Sequence, residues 1–311
     1  MSENHNDVAL PPRPARKKGP LIALAVALAA ALVAVLVVVT TSGGSGPGRV
    51  TVRIGTTSAS SPYWATFKEI AAREGIDIET VNFSDYSQAN PALAQGQLDL
   101  NLFQHLLFLA NYNVSNNDTL TPVGSTYVVP LSLYSQKRAT LAEIPPGGTV
   151  AIPNDPTNQA RALLVLQSAG LVKLQGGGSV LSTPAEIDAA ASKVRVTPID
   201  AAQTVTALPS VDAAIVNNNY ALNGGLDPSK ALFGDDPGSP ASEPYINIIA
   251  SRAADRDNPV YQRVAQLFKD SGVVAQVQAE SRGTSVIVDR PRADLDAILA
   301  RLSDTVRAGR R

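Results

Sequence analysis

Four short clusters hold most of the residues in this chain whose types and spacing suit chemistry. They are Asp85-Tyr86-Ser87-Gln88-Ala89-Asn90, Asn101-Leu102-Phe103-Gln104-His105, Pro153-Asn154-Asp155-Pro156-Thr157-Asn158-Gln159-Ala160-Arg161 and Asn217-Asn218-Asn219-Tyr220. Each sits where a run that reads as a strand gives way to the next element. In open α/β sheets the carboxyl ends of the strands are the ligand edge. The third cluster is the most specific. Two prolines fix its loop, and Asn158 and Arg161 fall three apart in the first helical turn, on one face. A helix start adds unpaired N–H groups and partial positive charge. A guanidinium placed there can grip a carboxylate with two parallel hydrogen bonds, and Asn158 can add a donor. Taken alone, Arg161 equally fits a surface pair with an acidic neighbour. Asn217–Asn219 equally fits a turn, His105 a structural histidine, and Tyr86, Phe103 and Phe108 core positions.

Composition narrows the chemistry further. The chain has 311 residues, no cysteine and two histidines, His5 and His105. Thiolate nucleophiles, disulfides and thiolate metal ligands are thereby excluded, and a multi-histidine metal site is disfavoured. No nucleophile elbow, Walker A loop or H-E-x-x-H motif is present. We therefore expect no enzyme, no metal and no cofactor. Lys and Arg total 26 against 27 Asp and Glu, which gives no pull toward nucleic acid.

Those clusters need elements to hold them. Residues 1–20 form a polar tail with four basic and two acidic residues, ending in Arg16, Lys17 and Lys18. Residues 21–39 contain only Leu, Ile, Ala and Val. At ~1.5 Å rise per residue they span roughly 28 Å, close to a hydrocarbon core. The basic flank predicts that the tail stays in the cytoplasm and the rest is exported. The segment 21–41 is read as a transmembrane anchor or signal peptide, and 42–49 as a Gly/Ser linker. The exported part carries 22 basic and 25 acidic residues.

Beyond the linker, strand-like and helix-like runs alternate. Strands are predicted at 50–55, 76–83 and 98–103, with helices at 61–74, 87–95 and 104–112 between or after them. Ser60 or Ser61 is a candidate cap of the first helix. After a β-rich stretch at 120–135 the pattern restarts, with strands at 149–152, 193–198 and 212–216 and helices at 158–169 and 200–207. A strand at 242–251 and helices at 258–271 and 291–307 complete the chain. The pattern predicts an α/β fold of two lobes, 50–135 plus 242–311 and 136–241, with a ligand cleft between them.

Taken together, the clusters resemble the NlpA family, the methionine-binding lipoproteins of bacterial ABC importers. The matching motifs stand here as Asp85, Tyr86, Gln88 and Asn90; as Asp99, Asn101, Phe103, Gln104 and His105; as residues 151–163; as Asn217, Tyr220 and Ala221; and as Pro244, Tyr245 and Asn247. The resemblance covers about residues 50–308. It implies a two-lobed periplasmic-binding-protein (type II) fold and capture of methionine for delivery to permease and ATPase subunits. It maps the carboxylate clamp to Arg161 and Asn158, the ammonium site to Asn217 and Asn247, and the side-chain pocket to Tyr86, Phe103 and His105. Phe108 stands where the family usually has a tyrosine, which removes a hydroxyl from that pocket. The lipidated cysteine is missing, and residues 21–39 look like a substitute tether on the extracytoplasmic face of a bacterial membrane. Another amino acid or a methionine-containing dipeptide is the alternative ligand. An enzyme on the same fold is a further alternative, with Asp85, Asp155 and His105 as its only candidates.

Overall fold

The expected alternation of strand and helix holds over most of the chain. The computed structural model describes residues 48–310. In chain order the main elements are β1 (Val50–Thr56), α1 (Tyr63–Arg73), β2 (Ile76–Asn82), α2 (Ala89–Ala94), β3 (Leu100–His105), α3 (Leu106–Asn116), β4 (Thr121–Ser125), β5 (Tyr127–Val128) and β6 (Ser132–Tyr134). They continue with β7 (Gly148–Pro153), α4 (Pro156–Ser168), β8 (Val194–Ile199), α5 (Thr204–Ala207), β9 (Ala213–Val216), α6 (Asn218–Asn223), β10 (Phe233–Gly234), β11 (Asn247–Ser251), α7 (Pro259–Leu267), α8 (Ser271–Glu280), β12 (Val286–Ile287) and α9 (Arg292–Ala308).

The strands form two five-stranded sheets, ordered β2-β1-β3-β11-β4 and β8-β7-β9-β6-β10. The two orders are equivalent. In each, the fourth strand runs antiparallel to both neighbours, and it is the strand entered just after the chain crosses from the other sheet. This gives two α/β lobes joined by two crossovers. Short β5 and β12 pair beside the first of them. Ser132–Tyr134, which the sequence reading kept in the first lobe by ending it at 135, pairs with Ala214–Val216 in the second sheet. The second sheet therefore begins at β6.

Each sheet is packed on both faces. On the first, Trp64 and Phe67 of α1 meet Phe268, with Phe67 and Phe268 edge to face at 5.4 Å. The opposite face packs Leu106, Leu107 and Leu109 of α3 with Leu295, Ile298 and Leu302 of α9. In the second lobe Leu163 and Leu166 of α4 cover Ile152 and Ile215, while Tyr220 and Leu208 lie on the other side. The aromatic groups are few, and burying one removes a large apolar area from water. Trp64, the single tryptophan, is core, and its Nε1 donates to Ser58 O at 2.9 Å.

Two predicted elements differ, and one helix was not predicted. The first helix opens on Pro62, with no side-chain cap from Ser60 or Ser61. Only Asn247–Ser251 of the predicted strand 242–251 is extended. Pro240 and Pro244 instead set a 3-10 turn over Pro240–Tyr245. Ser271–Glu280 is a helix that the pattern missed, capped by Asp270 and buried through Val273 and Val277. The predicted apolar segment at 21–39 lies outside the described residues, none of whose helices is long and apolar enough to cross a membrane.

Candidate functional site

The cleft between the lobes collects what the sequence singled out. Tyr86, Phe103, His105, Phe108, Asn158, Arg161, Asn217 and Asn247 all line one cavity. They converge because they stand at or near strand ends on the edges of the two sheets that face the cleft: the carboxyl ends of the parallel strands and the amino end of antiparallel β11. His105 closes β3, Asn217 directly follows β9, and Asn247 opens the antiparallel β11, where it pairs in register with His105.

Local rules explain how several are fixed. Asp155 caps α4 by accepting from the Asn158 N–H, and Pro156 occupies the first turn. This orients Asn158 and Arg161 inward, and both are buried. His105 caps α3, its Nδ1 accepting from Phe108 N–H at 3.1 Å. The ring proton therefore sits on Nε2, which faces Asn158 Oδ1 at 3.4 Å. Burial, and next the Arg161 charge, push the imidazole down to about 3, against the Asn158 hydrogen bond. His105 is neutral at physiological pH.

A pH effect follows. The unfolded chain protonates His105 near 6.5 while the folded one does not, so stability is complete above pH 6.5 and falls as pH drops toward 3. From pH 7.5 to pH 5 this group removes about 2 kcal/mol. Burial raises the Asp155 carboxyl, which acts in the opposite sense and is shared by wild type and variant. Urea midpoints of wild type and His105→Asn at the two pH values isolate the histidine. An unchanged slope in the variant contradicts the assignment.

The clamp reading expected a free guanidinium, and Arg161 is instead paired within the protein. Its Nε and Nη2 bond both oxygens of Asp235 at 2.6 and 3.0 Å, and Nη2 also reaches Val129 O at 2.8 Å. The guanidinium lies 4.1 Å from the Tyr245 ring centroid. A guanidinium this buried needs a counter-ion, because an unpaired charge in low dielectric is costly. One terminal nitrogen, Nη1, makes no hydrogen bond among the described residues. The two-pronged grip on an incoming carboxylate is thereby reduced to one prong. Asn158 is also engaged. Its Nδ2 donates to both Asp155 oxygens at 3.0 and 3.1 Å, and its Oδ1 accepts from Asn217 Nδ2 at 3.0 Å.

Asn217 breaks a local rule. It stands at the N-cap of α6, where an asparagine oxygen normally accepts a helix N–H. Here it makes no such bond, and Oδ1 is buried with no partner. An orphaned buried acceptor is costly unless something donates to it. Opposite stands an aromatic group. Phe103 and Phe108 meet edge to face at 5.7 Å, and Tyr86 lies 6.0 Å from each. Bonds from α6 close the lobes. Asn219 Nδ2 reaches Thr57 Oγ1 at 3.2 Å, Tyr220 OH reaches Ser84 O at 3.3 Å, and Tyr86 OH donates to Asn219 Oδ1.

Other motif residues hold rather than line. Asn90, Asn101 and Gln104 form a buried amide network that ties α2 to β3. Asp85 accepts from Ser87 N–H and Gln88 Nε2, and Asp99 from Arg53 N–H. Asp85 and Asp155 do not line the cavity, so they give His105 no acid–base partner. Among the described residues no cluster of acidic or histidine side chains suits a metal ion. Sequence reasoning missed Asp235, Tyr245, Tyr127 and Val129 as parts of the site. The one available signal for Asp235 was the need of a buried arginine for an acid.

Comparison with known proteins gives the family. Residues 52–288 match the family model described as NlpA lipoprotein. The chain is 35% identical over 231 residues to the probable D-methionine-binding lipoprotein MetQ of Haemophilus influenzae, covering 73% of this chain and 83% of that protein. A methionine-transporter substrate-binding protein of Streptococcus pneumoniae is similar in structure, with TM-score 0.71 and 36% identity over 76% of this chain and 95% of that one. A nutrient-binding protein of Burkholderia cenocepacia bound to methionine matches with TM-score 0.70 and 33% identity, over 76% of this chain and 99% of that one.

Proposed function

The chain belongs to the NlpA lipoprotein family, and on that premise we propose that it is the extracytoplasmic receptor of an ABC importer for methionine. It captures the amino acid between its lobes and delivers it unchanged to permease and ATPase subunits. The observation that carries this reading is the unpartnered, buried Asn217 Oδ1 in a cavity that also contains Arg161 and an aromatic wall. An α-ammonium donates to Asn217 Oδ1 and to Asn247. The α-carboxylate meets Arg161 at Nη1. Asn158 holds Asn217 and His105 in place. The thioether lies among Tyr86, Phe103, Phe108 and His105, where sulfur at ring edges is favourable. Lobe closure turns on the crossovers at 127–134 and 235–247.

Asn217→Ala removes the ammonium acceptor and leaves the α6 cap no worse than before. A hydrogen bond to a charged group contributes about 1.5–3 kcal/mol, so methionine affinity falls roughly ten- to hundredfold, while the unliganded fold loses the buried bond to Asn158 Oδ1 but also the orphaned oxygen, a net change of about 1 kcal/mol or less. Calorimetric titration reads this, and an unchanged affinity would sink the ammonium assignment. Residues 21–39 tether the receptor to the membrane in place of a lipidated cysteine, a reading drawn from the sequence pattern. Fractionation of the chain with and without residues 1–45 tests it, and equal solubility of both speaks against an anchor.

A further inference from the structure

Both crossovers between the lobes meet at the Arg161 side chain. Val129 O, on the first, accepts from Nη2. Asp235 and Tyr245, on the second, pair with and stack on the guanidinium. Asp235 Oδ1 also accepts the Leu131 N–H at 2.8 Å, which binds the second crossover to the first. Arg161 is 5% exposed and Asp235 24%.

The charges around the cavity then cancel. Arg161 is the one Lys or Arg among its lining residues, none of which is Asp or Glu, and His105 is neutral. Asp235 sits behind the arginine and balances it. Asp155 is bound at the α4 N-terminus by Asn158 and Thr157. A ligand entering this space brings its own net charge into low dielectric. A zwitterion brings none. A carboxylate without an ammonium brings one uncompensated negative charge and leaves Asn217 Oδ1 unpartnered.

We propose that Asp235 is a positioning and specificity residue: it holds Arg161 across both crossovers and sets the cavity charge to zero, so that zwitterionic amino acids are selected against the matching carboxylic acids. The inference rests on the receptor reading above.

The test is calorimetric titration with L-methionine and its desamino analogue, 4-(methylthio)butanoate, on wild type, Asp235→Asn, Asp235→Glu and the double variant Arg161→Gln/Asp235→Asn. Wild type prefers methionine by a factor of about 100 or more, as expected when a buried acceptor and a charge are both left unmatched. In Asp235→Asn the arginine charge is uncancelled and suits the anion, so the preference drops tenfold or more. Asp235→Glu restores it. The double variant has neither charge and has lost the carboxylate partner, so both ligands bind it at least about thirtyfold more weakly and are titrated at correspondingly higher concentration, but their ratio stays within tenfold of wild type because Asn217 Oδ1 still discriminates. A purely structural role would weaken both ligands equally in Asp235→Asn, and an unchanged ratio there overturns the inference alone. If that variant does not fold, the double variant decides: loss of its preference assigns selection to the arginine and overturns the inference. A wild type that binds no methionine overturns the receptor reading and this inference with it.

Discussion

Replacing Arg161 with glutamine is expected to weaken methionine binding by roughly 2–5 kcal/mol, a factor of about 30 to several thousand. Desolvation sets the size of the effect. Arg161 is 5% exposed and lines the cavity, so a carboxylate that meets it leaves water and recovers only what the guanidinium returns. Glutamine keeps much of the length and one donor group but no charge. The same change leaves Asp235 without its two bonds at 2.6 and 3.0 Å. Asp235 is a quarter exposed, so water partly replaces the guanidinium and the fold loses less than the affinity does. Calorimetry measures the first effect and urea denaturation the second. Affinity within threefold of wild type would place the carboxylate elsewhere.

The second large effect is on the fold itself. Asn90→Ala is expected to destabilise the protein by about 2–5 kcal/mol, a large share of a typical total of roughly 5–15 kcal/mol. Asn90 Nδ2 donates to Gln104 Oε1 at 2.8 Å, and its Oδ1 accepts from Asn101 at 2.9 Å and from Gln104 at 2.6 Å. All three side chains are at most 2% exposed. Alanine leaves Gln104 Oε1 and Asn101 Nδ2 without partners where water does not reach. The neighbour in sequence of Gln104 is His105, so the loss also loosens the strand end that places the imidazole. Urea midpoints with a common slope give the number. A loss under 1 kcal/mol would mean that the network relaxes around the gap.

What the sequence made legible was periodic or local. Alternation at 50–55 and 76–83 marked β1 and β2 because one face of each is buried. The loop before α4 was legible because Asp155 and Pro156 are a cap and a first-turn proline, which act within one turn. Helix α8 escaped because three valines and Gly272 weaken helix propensity, while burial of Val273 and Val277, four apart, decided the outcome. The lobe boundary escaped because Ser132–Tyr134 is extended in either sheet, and only its partner at 214–216 assigns it. The site followed the same division. Asn217 stood in a cluster at a strand end but equally fitted a turn, and only the family resemblance gave it a ligand role; Asn247 was reached through the resemblance alone. The Arg161–Asp235 pair spans 74 residues of chain. Its acidic member sits in a Gly/Pro loop with no pattern of its own, so nothing local announced that the clamp was already half occupied.

The receptor claim is met most directly by a thermal melt of the protein, unfolded and refolded to strip carried-over ligand, with and without L-methionine. Ligand at about 100 times its dissociation constant adds ~2.7 kcal/mol to the folded state. A saturable rise in melting temperature is expected with methionine, with one equivalent bound and recovered unchanged, and a rise of less than about a third of that in Arg161→Gln at the same concentration. No rise with methionine, alongside a rise with a compound lacking either the ammonium or the carboxylate, would contradict it.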